Sequence, residues 1–170
     1  MNISSAAFGD EHGIAQAHVS AWQAAYRGIV SEDFLDTMSV QERSARWAEV
    51  LRDSTCKLLV AKEGVETLGF VSFGRSREAH AKPEDGEIWT MYVSPRSWRS
   101  GVGRMLMNEA LVSLAQDGFG AVSVWVLRLN AQAIAFYLAC GFELQPQSAR
   151  HFDLGGHRLE EVALHLRNAA

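Results

Sequence analysis

Apolar residues fall first at helical spacing along the chain and then at strand spacing. "GIAQAHVSAWQAAYRG" places Ile14, Ala17, His18, Ala21, Trp22 and Ala25 three and four apart, the period of one helix face. Asp10 stands at the N-cap position before it and Gly28 closes it. Ser31 caps a short helix in "SEDFLDTM", and "SVQERSARWAEVL" reads as a third helix with Val40, Trp47, Val50 and Leu51 facing inward. The opening "NISSAAFGD" alternates weakly, as an edge strand does. "KLLVAKE" and "ETLGFVSFGRS", separated by Gly64 and a charged turn, predict an antiparallel hairpin.

After the polar loop "AHAKPEDGE", "EIWTMYVSP" predicts a strand that Pro95 stops. From Val102, apolar residues at 102, 105, 106, 110 and 114 predict a helix. "AVSVWVL" reads as a strand and "NAQAIAFYLACG" as a helix ended by Gly141. The remainder reads as two strands about Gly155–Gly156. Helices first, then a run of strands, then alternation give an α/β domain with a mixed sheet, one domain over 1–170.

Composition narrows the function. Of 170 residues, 48% are hydrophobic and 21% charged, so a full core is expected and disorder is not. The net charge of −4 argues against nucleic acid as the main partner. Cys56 and Cys140 have neither disulfide-framework nor metal spacing and fit a reducing, cytoplasmic setting. His18, His151, His157 and His165 share no metal spacing, so no metal is expected. No apolar run reaches the ~20 residues of a membrane span, and the N-terminus lacks a signal pattern.

One basic run stands out in this acidic chain. "PRSWRSGVGRMLM" joins a strand to a helix through Gly101 and Gly103, with Arg96, Arg99 and Arg104 and no acid. A dinucleotide fingerprint needs a third glycine where Leu106 stands, and no Gly-Lys-Ser/Thr follows for a Walker loop. A strand, an arginine-bearing Gly-x-Gly loop and a helix N-terminus still suffice for a phosphate. Glycine lets it approach the backbone, and the first-turn N–H groups lack internal partners. A tight turn with solvated arginines is the alternative. Further on, Asn130, Ala133/Ile134 and Tyr137 share a helix face. Taken alone, Asn130 is an N-cap and Tyr137 a core aromatic.

Together, "EIWTMYVSPRSWRSGVGRMLM" and the later "N…AFY…GF" resemble the acyl-CoA-binding core of the GNAT N-acetyltransferases. The resemblance is close from Glu87 to Phe142, and "SAWQAAYRGIVSEDFLD" is similar to the first helical hairpin of many bacterial members. It implies a mixed, mostly antiparallel sheet, splayed at the cofactor site and flanked by helices. The family's loop motif begins with Gln or Arg, where this chain has Trp98.

The resemblance also implies roles. Main-chain groups of Met91 and Val93 would pair with the pantetheine of acetyl-CoA. The N–H groups of Arg99, Ser100, Gly101, Val102, Gly103 and Arg104 would hold its pyrophosphate, with Asn130 and Phe136 flanking the arm. An N–H of Met91 or Tyr92 would steady the oxyanion, and Tyr137 would give a proton to the leaving sulfur. Glu87, fourteen residues before Gly101 as in the histone-acetylating branch, is the candidate base, with relay through water as the other route. Period two from Glu87 puts Trp89, Met91 and Val93 on its strand face. Trp22, Tyr26 and Trp89 are candidates for the acceptor wall, with "QSARHFDLGGH" across the cleft. A pair such as Trp22 and Tyr26 is more often core packing.

The implied activity is acetyl transfer to a primary amine, with a small molecule favoured because no recognition domain is apparent. A protein N-terminus or lysine, a non-catalytic acyl-CoA sensor and a structural domain with a fortuitous glycine turn are the alternatives. A homodimer through the late strands is compatible with the sequence, which shows no dimer surface.

Overall fold

The computed structural model describes residues 1–52 and 56–167. Its elements run β1 (Asn2–Ser5), α1 (Glu11–Ala25), α2 (Glu32–Asp36), α3 (Val40–Val50), β2 (Lys57–Glu63), β3 (Glu66–Arg75), β4 (Asp85–Val93), α4 (Val102–Gln116), β5 (Ala121–Leu127), α5 (Ala131–Ala139), β6 (Glu143–Leu154) and β7 (His157–Arg167). A short 3-10 turn, Pro95–Ser97, precedes α4. The seven strands form one sheet in the order β1-β2-β3-β4-β5-β7-β6. Every neighbouring pair is antiparallel except β4 with β5.

Both faces of the sheet are covered. On one, α4 and α5 bury Val102, Leu106, Leu114 and Tyr137 against Phe73, Ile88, Val124 and Leu164. On the other, α1 and α3 bury Ile14, Ala17 and Trp47 against Val60 and Phe70. Each large buried apolar side chain contributes roughly 1.5–3 kcal/mol. Ser31 and Ser39 accept the Phe34 and Glu42 N–H groups, so α2 and α3 begin where a serine can cap them.

Four expectations need correction. Asp10 occupies the N-cap position of α1, but its carboxylate accepts from the Ala7 N–H and pairs with Lys62 of β2. The lysine of β2, rather than a first-turn N–H of α1, takes the carboxylate. Helix α1 ends at Ala25 with Tyr26 bonded back to Trp22, before Gly28, which lies in the turn beyond. In α4, Met105 is 42% exposed whereas Met107 is fully buried. Leu106 and Met107 both face the sheet, and Met105 lies around the helix from them.

The fourth correction bears on the site. Phe73 pairs with Ile88 and Ser72 with Thr90, so Trp89 is an extra residue in β4. Such a bulge shifts the side-chain alternation. Ile88, Met91 and Val93 face the α4 layer, while Tyr92 packs with Phe70 on the α1 layer. Glu87 neighbours Ile88 and therefore lies on the α1 side, opposite Met91 and Val93 and not on their face.

Candidate active site

Strands β4 and β5 pair over four positions, from Asp85↔Ala121 to Ile88↔Val124. Both strands continue, to Val93 and Leu127, without pairing further with each other. The expected splay is therefore present, and it begins at the Trp89 bulge. A cleft of about 770 Å³ opens there, lined by α1, β4, the loop before α4, β5, α5, β6 and β7.

Main-chain polarity along β4 follows from its pairing with β3. Ser94 N–H donates to Leu68 O, and Phe70 stands opposite Tyr92. Alternation then turns the N–H and C=O of Tyr92 towards β3, and those of Met91 and Val93 into the gap. Of the two N–H groups expected to meet an oxyanion, that of Met91 faces the cleft and that of Tyr92 does not. The Val93 carbonyl has a partner already. The Trp98 indole donates to it at 2.7 Å, so Trp98 fastens the loop to the end of β4.

The loop delivers a bare helix N-terminus. Gly101 is the N-cap of α4 at φ +90°, with no side-chain cap. That left-handed conformation favours glycine. The first intrahelical bond runs from Met105 to Gly101, so the N–H groups of Val102, Gly103 and Arg104 have no helical acceptor. A Cβ on Gly103 would stand 3.3 Å from Phe136 and 3.4 Å from Met91. Gly103 thus lets α4, α5 and β4 converge. Arg99 holds φ +60° and is exposed, with its side chain on the cleft. The Arg104 guanidinium donates to Ala139 O at the end of α5. Its side chain ties α4 to α5, and its backbone N–H remains with the helix terminus.

Asn130 is buried and caps α5, accepting the Ala133 N–H at 3.1 Å. It lines the cleft with Phe136 and Tyr137. Tyr137 is 6% exposed, and burial, helped by Tyr92 and Cys140, pushes its hydroxyl well above the usual phenol range.

On the α1 side, Glu87 is 2% exposed and accepts from the Arg77 N–H at 2.8 Å and the Arg77 guanidinium at 2.6 Å. Tyr26 and Trp89 line the cleft. Trp22 does not, which corrects the expectation for it: it packs inside against His18, Tyr26, Phe34 and Tyr92. The hydroxyls of Tyr26 and Tyr92 meet, and burial raises both. Glu161 stands within electrostatic reach of the two. His18 stacks on Tyr92 at 4.8 Å and accepts the Trp47 indole N–H. Burial, and then Arg43, lower it to about 3, so His18 is neutral.

Sequence reasoning missed Trp125 and Glu161 on the cleft wall, and Arg77 behind Glu87; of the segment "QSARHFDLGGH" expected across the cleft, Arg150 lines it. Trp125 offered a signal. Between buried Val124 and Val126, strand alternation turns it to the opposite face, towards α1. Among the described residues, no group of three or more His, Cys, Asp and Glu converges on a metal position. No described helix is long and apolar enough to cross a membrane.

A sheet parted between β4 and β5, with a helix N-terminus aimed at the gap, defines the fold of acyl-transferring enzymes of the GNAT type. The profile of the acetyltransferase (GNAT) family matches residues 16–142, and the chain belongs to that family. The uncharacterized N-acetyltransferase YuaI of Bacillus subtilis strain 168 is 30% identical over 164 residues, 96% of this chain and 91% of its own. The PaiA N-acetyltransferase of Thermoplasma acidophilum, solved in complex with coenzyme A, superposes with a TM-score of 0.75 at 18% identity, covering 98% of this chain and 99% of that one. The yncA acetyltransferase of Salmonella typhimurium, solved with acetyl-CoA, does so at 0.72 and 23% identity, covering 98% and 92%.

Proposed function

We propose that residues 1–170 work as one N-acetyltransferase domain, which moves an acetyl group from acetyl-CoA to a primary amine of a small molecule by direct attack. The observation that carries this reading is the meeting, in one cleft, of the unpaired edge of β4, the uncapped start of α4 and the Asn130–Tyr137 face of α5. Acetyl-CoA supplies the activated thioester. The residues fit it. The N–H groups at the start of α4 and the Arg99 side chain suit a pyrophosphate. Met91, with the Val93 N–H, offers strand-like bonding to the arm, and Asn130 and Phe136 flank it.

The Met91 N–H, which faces the gap, stabilises negative charge that builds on the thioester oxygen in this reading. Tyr137 holds its proton throughout the neutral range. A phenol raised above 10 is a weaker acid than an ordinary thiol near 8.5, so free transfer to a solvated thiolate would run uphill. A sulfur leaving in the same water-poor cleft is raised by the same desolvation, which brings the two closer. Tyr137 therefore acts first as a hydrogen-bond donor to the sulfur, with its proton following as charge accumulates.

An alkylamine near 10.4 reaches the site protonated at pH 7. Glu87 is the acceptor of that proton. Because Arg77 holds both of its oxygens, the proton passes through water rather than by direct contact. The test is coenzyme A release over an amine panel, with calorimetric titration of coenzyme A. Acetylated amine with matching thiol release is expected. Tight coenzyme A binding with no transfer to any amine would refute transfer and favour a sensor.

A further inference from the structure

The acceptor end of the cleft carries a repeated arrangement. Arg150 lies over the Trp125 ring at 4.3 Å and donates its Nε–H to Glu161 at 2.7 Å. Arg77 lies over the Trp89 ring at 4.8 Å and donates to Glu87. Both indole N–H groups are pinned, Trp125 to Glu78 at 2.9 Å and Trp89 to Arg75 O at 3.2 Å. The rings are thereby oriented, and each guanidinium is held in place by a ring face and a carboxylate.

The two ion pairs point the same way. Their carboxylates are inside, with side chains 3% and 18% exposed, while the arginine side chains are 57% and 47% exposed. The cleft therefore presents the carboxylates of Glu87 and Glu161 in its depth and the Arg150 cation at its rim. A guanidinium has five N–H donors in a planar fork. Arg150 commits Nε to Glu161 and keeps both terminal nitrogens, next to a cleft it lines. A polyamine entering here would meet arginine at the mouth and find both wall carboxylates already paired.

We infer that the acceptor is an amino acid, its amine lying inward between Glu87, Glu161 and the tyrosines, and its carboxylate held at the rim by Arg150. Tyr26 and Trp125 give the apolar wall for the carbon chain between. This inference rests on the acetyltransferase reading above. It makes Arg150 the residue that sets specificity, through a charge-assisted and geometrically selective contact.

The experiment compares matched sets: leucine, leucinamide and 3-methylbutylamine; phenylalanine, phenylalaninamide and phenethylamine; 5-aminopentanoate and pentylamine. Thiol release is measured for each, with kcat/KM expressed per unprotonated amine. Binding of the same compounds to the coenzyme A-loaded protein is measured by calorimetry. At least one amino acid should exceed its neutral partners about tenfold or more in both readouts. Arg150→Gln should bring that ratio towards one by raising KM for the amino acid, and Arg150→Lys should restore part of it. Coenzyme A titration of each variant verifies that it is folded. Equal or better use of the amines lacking a carboxylate, or an unchanged ratio in Arg150→Gln, overturns the inference and leaves acetyl transfer standing. Loss of transfer to every amine, with amino acids still bound selectively through Arg150, would overturn acetyl transfer instead.

Discussion

Lowering the pH from 7.5 to 5 should destabilise this protein through one residue, His18. It is 6% exposed, stacked on Tyr92, with Nδ1 accepting the Trp47 indole N–H. Its pKa falls from 6.5 to about 3, chiefly through burial. The unfolded imidazole takes up a proton below about 6.5, whereas the folded one waits until about pH 3. Between those values the unfolded state binds more protons, so stability falls as pH drops through the window. With one pKa unit equal to about 1.4 kcal/mol, His18 should remove roughly 2 kcal/mol between pH 7.5 and 5. For a chain of this size that is a shift of roughly 4–8 °C in Tm. Urea unfolding at both pH values, for wild type and His18→Gln, isolates the effect. Carboxylates elsewhere contribute alike to both proteins, and glutamine can still accept from Trp47. The wild type should lose about 2 kcal/mol more than the variant over that pH interval. Parallel losses in the two proteins would refute the reasoning, and with it the neutral state assigned to His18 under the acceptor wall.

Tyr137→Phe should lower kcat at least about tenfold with little change in acetyl-CoA affinity; unchanged turnover would remove the donor role. Because burial raises Tyr137, Tyr26 and Tyr92, the wild-type kcat/KM should climb with pH as the amine deprotonates. It should show no tyrosine-dependent fall below about pH 10, and a descending limb nearer 8 that Tyr137→Phe abolishes would contradict this. Glu87→Gln should reduce turnover most at low pH, where the amine is mainly protonated, and kinetics matching wild type across pH would place the base elsewhere. Trp98→Phe removes the 2.7 Å bond to the Val93 carbonyl and should cost about 1 kcal/mol; an unchanged urea midpoint would show that the indole is not a structural tie.

The order of elements was legible because local signals carry it. Ser31 and Ser39 cap helices through side-chain oxygens, and Gly141 at φ +91° follows the end of α5. The hairpin about Gly155 and Gly156, both at positive φ, was legible for the same reason. Signals that depend on distant partners were not. Asp10 looks like a cap until Lys62 is brought across from β2. Met105 and Met107 are equally apolar, and only the packing of α4 on the sheet decides which is buried.

In the site, the same division separates cradle from acceptor wall. The cradle is local: Gly101 and Gly103 lie two residues apart at the start of one helix, and the Asn130–Tyr137 face lies on another. Spacing therefore exposes it. The acceptor wall is assembled from Tyr26, Glu87, Trp89, Trp125, Arg150 and Glu161, contributed by the end of α1 and four strands. No spacing connects those residues before the sheet forms. The bulge at Trp89 makes the difficulty concrete, since period two assigned Glu87 to the face of Met91 and Val93. The extra residue places Glu87 with the acceptor wall and leaves Met91 and Val93 on the α4 side. It also lies where β4 stops pairing with β5. One insertion in the strand thus sorts the proposed base to one side of the sheet and the cofactor-facing side chains to the other, while the Met91 main chain remains in the opening between them.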